Sequence, residues 1–365
     1  MVLGPRRTPL EETEAQPAAG PWQTLEARLL EALERPPCLV GFSGGRDSSA
    51  ILAAATKVAR QEGLADPIPF TLRFGAAPRT DETEWQELVI RHLELDEWSQ
   101  LPVAEELDAL GPMALEVLER HGVHWPPNIH TFQLTLKPAA GGSLLTGNGG
   151  DELFSAFPGH RLVVLRRFGT RPRREDLRYL LRATMPDWAL AQWVRRRSYV
   201  ALPWLRPRAA RELERRFATS AMRIPATWSD ELDKYLGGRN LEVASAITAA
   251  LAQEADVNLV EPFVDPQFVR AVRDDAPPQG YGSRTAPMKK YFGDLLPPRV
   301  TERSTKAVFT EVFAGEQTRR FAREWDGAGL DPELVDAEAL RRTWLSEIVD
   351  VRSLVPLQAA WLANR

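Results

Sequence analysis

A single cysteine, Cys38, stands in a chain of 365 residues, so neither an intramolecular disulfide nor a cysteine-cluster zinc site can form within it. That usage fits a reducing compartment. No apolar run approaches the roughly 20 residues that cross a bilayer. The N-terminus, MVLGPRRTPLEETEAQPAAG, lacks the apolar core of a secretory signal. A cytoplasmic protein with no membrane contact is therefore expected. A global basic field is missing too: 46 Lys and Arg face 50 Asp and Glu, and the formal net charge is −4. That balance removes the electrostatic footprint of a nucleic-acid binder, and none is expected as a partner. No Gly-Lys-Ser/Thr occurs, which excludes a phosphate loop of the Walker type. Internal repeats and long low-complexity segments are absent.

What remains is an ordinary globular composition, 44% hydrophobic and 26% charged, in a chain long enough for one large domain or two. Residues 1–20 are polar and rich in Pro, Glu and Gly, and predict a disordered tail. WQTLEARLLEALERP places Leu25, Leu29, Leu30 and Leu33 at the spacing of an amphipathic helix that Pro36-Pro37 ends. CLVGF, PIPFTLRF (67–74) and GSLLTG predict short buried strands. Between them, helices are expected over Asp47–Gln61, 81–95, about 104–120 and near 129–139. Strands alternating with helices predict an α/β fold, a parallel twisted sheet with flanking helices, over residues 21–157. Beyond Phe157 strand-like runs almost vanish, and 158–365 is expected to be mainly helical.

Two features of the chain carry no chemistry by themselves. The arginine-dense stretch 161–216 predicts solvated helix faces interleaved with acids; the alternative is a docking surface for an acidic peptide or partner protein. His121, His124 and His130 flank HWPPNIH, where Pro126-Pro127 suits the wall of a substrate pocket better than a zinc site.

Chemistry concentrates in two glycine-rich stretches. In CLVGFSGGRDSSA (38–50) a buried strand runs into Ser43, Gly44, Gly45, Asp47, Ser48 and Ser49 and then into a helix. Glycines let the backbone turn and approach a ligand, N–H groups at a helix start point at anions, and the serines add donors. Asp47 beside phosphate oxygens implies a cation between them, such as Mg²⁺. In LLTGNGGDELFSAF (144–157) another strand leads into Gly147, Gly149, Gly150 and Asp151. That Gly-Gly-Asp after a strand lets Asp151 approach the loop that contains Asp47, and two carboxylates at adjacent strand ends can hold Mg²⁺ against phosphates.

SGGRDSS resembles the pyrophosphate loop of the ATP pyrophosphatases, shared by NAD synthetases, argininosuccinate synthetases, tRNA thiolases and asparagine synthetases. LLTGNGGDELFSA narrows this, because it resembles TGDGGDELFGGY of the asparagine synthetase domain. DVNLVEPFVDPQFVRAV (256–272) is similar to that family's GVEARVPFLDxxLVxxA, and LLPPRVTERSTKAVF (295–309) to its LPxxVxxRxKxxF. The resemblance implies an adenine nucleotide α-hydrolase-like fold that uses ATP and Mg²⁺. It gives Asp47 and Asp151 the metal, puts backbone near Leu72 against adenine, and makes Lys306 the lysine that neutralises the adenylation intermediates. Arg303 is expected to serve phosphate nearby.

Departures from the family pattern are informative. Val2 stands where a glutaminase domain carries its cysteine, so glutamine is not expected as the nitrogen source within this chain. Asn258 occupies the place of the family's glutamate in VEARVPF and cannot be a general base; Glu261 or Asp256 is left as a replacement from a neighbouring turn. STKAVF and the later GLDPELVDAEALRRTW resemble the lasso-peptide cyclases and related natural-product amide synthetases. That branch implies a carboxylate and an amine as substrates, both on a precursor peptide in the macrolactam case, with a separate leader-binding protein or protease as partner. The alternatives are ammonia-dependent amidation of a small acid, as in asparagine synthetases, and a non-catalytic protein that kept ATP binding.

Overall fold

The computed structural model describes residues 19–74, 81–168, 181–182, 184–198, 200–220, 225, 227–305 and 313–365. Strands β1 (Cys38–Gly41), β2 (Ile68–Phe74), β3 (Ser99–Val103), β4 (Ser143–Leu145) and β5 (Asn258–Val260) form one sheet in the order β3-β2-β1-β4-β5. Every neighbouring pair is parallel, with Leu39 of β1 opposite Ile68 on one side and Leu144 on the other. The chain therefore winds outward from β1 to β3, then returns to the far side of β1 to lay down β4 and β5. That reversal opens a crevice between the carboxyl ends of β1 and β4, the place where open parallel sheets receive ligands.

The helices that frame the crevice are α1 (Pro21–Leu33), α2 (Arg46–Glu62), α3 (Thr83–Leu93) and α4 (Pro112–His121). Helix α2 is buried almost all round. Ala50, Ala53, Ala54, Ala55 and Ala59 are at most 2% exposed, and their small side chains let α1 and the sheet pack close to its axis. Gly63 stops it in the left-handed conformation at φ 67°. The main core runs from α1 and α2 to Phe154, Phe263, Phe268 and Phe292 of the later segments, so the two halves share one interior. A second cluster joins Val103 and Leu107 beside β3 to Trp325, Trp344 and Leu354, and the Trp325 and Trp344 rings lie 4.8 Å apart.

The α/β fold followed by a mainly helical portion is as expected, with differences in detail. β3 and β5 were not anticipated: SQLPV is polar and holds a proline, and Asn258–Val260 is too short for a period to show. So the helical portion returns one strand to the sheet. The expected helix near 129–139 is broken into 3₁₀ and α turns, Ile129–Phe132, Gln133–Leu136 and Lys137–Ala139. The expected helix from about 104 begins only at Pro112, after one 3₁₀ turn over Glu105–Leu107. Residues 1–18 of the expected tail, and parts of 161–216, lie outside the described residues. In the described part of that stretch Arg195 pairs with Glu214, and Arg215 and Arg216 both pair with Glu212. Among the described residues no helix is long and apolar enough to cross a membrane. Cys38 is buried, and that burial pushes its thiol up to about 12, leaving no thiolate character near neutral pH.

Candidate active site

The first glycine loop leaves β1 and enters α2. Its hydroxyls tie it together: the Ser43 N–H donates to Ser48 Oγ at 3.2 Å, the Gly45 N–H to Ser43 Oγ at 3.3 Å, and Ser48 Oγ–H to the Gly45 carbonyl at 3.2 Å. The loop is also braced from α3 and beyond. Gln86 Nε2 donates to the Ser43 carbonyl at 3.0 Å, and Arg303 Nη1 donates to the Gly44 carbonyl at 3.0 Å. Gly44 sits at φ +81°, and a Cβ there would meet Gln86 Cγ at 2.7 Å, so both conformation and space demand glycine. Ser49, one turn into the helix, is fully buried.

The second loop leaves β4 and presses directly on the first. A Cβ at Gly147 would stand 2.8 Å from the backbone of Asp47 and Ser48, and one at Gly150 would stand 2.5 Å from Asp47 Cγ. Gly149 takes φ +85° and faces Val264 and the Phe263 carbonyl. The two glycine motifs are thus one structure, made by neighbouring strand ends whose backbones touch. Asp47 and Asp151 are brought to the same place, and a single guanidinium bridges them. Arg284 donates through Nη2 to Asp47 Oδ2 and through Nη1 to Asp151 Oδ1.

Nothing in the sequence pointed to Arg284, which lies 237 residues from Asp47 and 133 from Asp151. It precedes the helix Thr285–Phe292 in an ordinary stretch, YGSRTAPMKKYF. Burial works against its charge, but the Asp47 and Asp151 carboxylates outweigh burial and hold it above its ordinary value. Arg46 of the first loop is held below its own, by burial first and then by the neighbouring Arg284.

The remaining expected residues fall in different places. Leu72 lines an apolar pocket of about 230 Å³ with Phe42, Phe70 and Phe74 at the carboxyl ends of β1 and β2. Arg303 is only 6% exposed and is spent on the protein itself. Besides the Gly44 carbonyl, it pairs with Glu82, donates to Thr305 Oγ1 at 3.0 Å and lies 4.5 Å over the Trp85 ring. Lys306 lies outside the described residues. Asn258 is not brought to the cluster: it opens β5 beside Ser143, which opens β4, at the amino edge of the sheet. Glu261, past the carboxyl end of β5, does reach the second loop. Its Oε1 accepts from Thr146 Oγ1 at 3.0 Å and from Asn148 Nδ2 at 2.7 Å.

His124 and His130 are packing groups, while His121 faces Glu254 at 3.0 Å: His130 is fully buried, and burial pushes it down to about 4. His124 Nδ1 faces the Gly122 carbonyl at 2.9 Å and its Nε2 faces Gln358 Nε2 at 3.0 Å.

Among the described residues no group of three or more His, Cys, Asp or Glu could hold a metal. Two carboxylates are nonetheless the donor set Mg²⁺ takes when substrate phosphates and water complete its octahedron. A cation, the Arg284 guanidinium, already spans the pair, so the residues fit the ion. A family model described as asparagine synthase matches residues 26–361. No curated protein matches the chain.

Proposed function

The chain belongs to the asparagine synthase family, whose members are ATP-dependent carbon–nitrogen ligases that form AMP and pyrophosphate, and from that premise we propose that it is an amide synthetase acting on a peptide or related natural-product precursor. One observation carries the proposal: the loops after β1 and β4 meet at the reversal of the sheet and set Asp47 against Asp151 across one cation. The apolar pocket at Leu72 would take the adenine base, and the first loop would carry the phosphates toward Asp47. A substrate carboxylate attacks the α-phosphorus, the bond to the β-phosphate oxygen breaks, and pyrophosphate leaves. The amine then attacks the acyl carbon, loses a proton and releases AMP.

Adenylation builds negative charge on phosphorus, so fixed positive groups and loop N–H donors lower the barrier by preorganised electrostatics. Asp47 and Asp151 would hold Mg²⁺, which supplies charge neutralisation of the β and γ phosphates. Coupling needs an uncharged amine held at the acyl carbon, and an amine tethered in the same molecule supplies much of that by proximity. STKAVF and GLDPELVDAEALRRTW support the lasso-cyclase-like, macrolactam-forming branch.

Phosphorus NMR of a turnover mixture is expected to show AMP and pyrophosphate; ADP and phosphate would sink the assignment of the site. With ATP supplied and aspartate and ammonia as the only acid and amine, no pyrophosphate release above background is expected. Robust release there would replace the tethered amine with ammonia-dependent amidation of a small acid. ATP bound without AMP formed, across candidate precursor peptides, would leave a non-catalytic ATP-binding protein.

A further inference from the structure

The bridge across Asp47 and Asp151 occupies the place that the proposed function gives to metal and phosphate. Both acids are held by one side chain, from a segment outside either loop. The Arg284 side chain is 20% exposed and that of Asp151 is 44% exposed, so the bridge is reached from solvent. By contrast, the brace that holds the first loop, Arg303 with Glu82, is sealed at 3% and 9%. The two arginines thus differ in kind: one is buried in packing, and the other sits at the mouth of the crevice on the two residues suited to a divalent ion.

We propose that Arg284 is an exchangeable counter-ion, which neutralises Asp47 and Asp151 while the site lacks nucleotide and yields that place to the divalent cation, transferring its guanidinium to the incoming phosphates. Two carboxylates gathered on one guanidinium repel each other unless a cation lies between them. A guanidinium supplies one charge and two forked donors to that pair, and the same fork fits phosphate oxygens. Once a divalent ion neutralises the acids, Arg284 loses its reason to stay there and keeps its reach to the triphosphate. The inference rests on the two-carboxylate metal site of the proposed function, and it makes Arg284 a charge-balancing residue for adenylation.

Mn²⁺ alone tests the idea on the full chain, without nucleotide or turnover. Free Mn²⁺ is counted by electron paramagnetic resonance in titrations of wild type, Arg284→Ala and Arg284→Lys. Removing a competing unit charge from contact with both ligands should tighten Mn²⁺ binding about tenfold in the alanine variant. Arg284→Lys, which carries one charge but no fork, should fall between. Thermal melting gives the second readout: Arg284→Ala should melt lower than wild type without metal and recover when Mn²⁺ is added. Unchanged or weaker Mn²⁺ affinity in both variants, or a melting loss that Mn²⁺ does not restore, overturns the proposal, since a structural brace would behave that way. If the alanine variant cannot be purified folded, the lysine variant decides by the same titration. The outcome is separable from the reaction: ADP formation by wild type would remove the adenylation reading, whereas the Mn²⁺ shift reports on Arg284 alone.

Discussion

Asp47→Asn and Asp151→Asn are each expected to lower pyrophosphate release by about a hundredfold or more, or about 3 kcal/mol of transition-state stabilisation. Each change keeps the shape of the side chain and removes the charge that a hard cation needs. In a site that works by charge neutralisation, an amide oxygen is a poor substitute. The fold should survive. Gly147 and Gly150 press on the backbone and Cβ of Asp47 as well as its carboxyl, and those contacts are the same with asparagine. Single-turnover pyrophosphate release at saturating ATP measures the loss, and circular dichroism with thermal melting checks the fold. Near-wild-type rates for both variants at limiting Mg²⁺ would break the two-acid site.

Arg303→Ala is expected to be the costliest change to stability, at about 3–5 kcal/mol, because it strands the buried Glu82 carboxylate without its partner. It also removes the donor to the Gly44 carbonyl and the cover over Trp85. For a domain whose whole margin is about 5–15 kcal/mol, that is a large share. Urea unfolding should show a lower midpoint with an unchanged slope. The double variant with Glu82→Ala should cost less than the sum of the two single changes, since the charge left behind is gone. A loss under about 1 kcal/mol for Arg303→Ala would mean that the pair holds nothing in place.

The local half of this site was legible in the sequence, and the long-range half was not. SGGRDSS after an apolar run, and TGNGGDE after another, mark strand ends with glycine loops, and their chemistry follows from composition alone. Even the reason for Gly147 and Gly150 could be half seen, as a backbone needing close approach; that the approached atom belongs to Asp47 could not. Arg284 was invisible because an arginine before a helix carries no periodic or spacing signal, and its meaning comes entirely from two residues far away in the chain. Arg303 was legible as a residue of a family motif but not as a buried group, since burial depends on Glu82 and Trp85 across the fold.

β5 shows how a strand separates neighbours in sequence. At about 3.3 Å per residue, the three steps from Asn258 to Glu261 span the sheet from its amino edge to its carboxyl edge. A motif read as one functional unit therefore has its amide and its carboxylate at opposite ends, and only the strand register tells them apart.

The hydrogen bond from Asn148 to Glu261 ties together two departures from the family pattern. Against the family pattern, Asn148 replaces the aspartate of TGDGGDE and Glu261 replaces the valine of ARVPF, and the two new side chains meet at 2.7 Å. Taken in one order, the intermediate is an asparagine facing valine, which is harmless on an exposed loop. Taken in the other, aspartate and glutamate face each other at contact distance, with Thr146 as the only donor described between them and the loop. An aspartate at position 148 while Glu261 stays would therefore set two like charges against each other where the amide now donates.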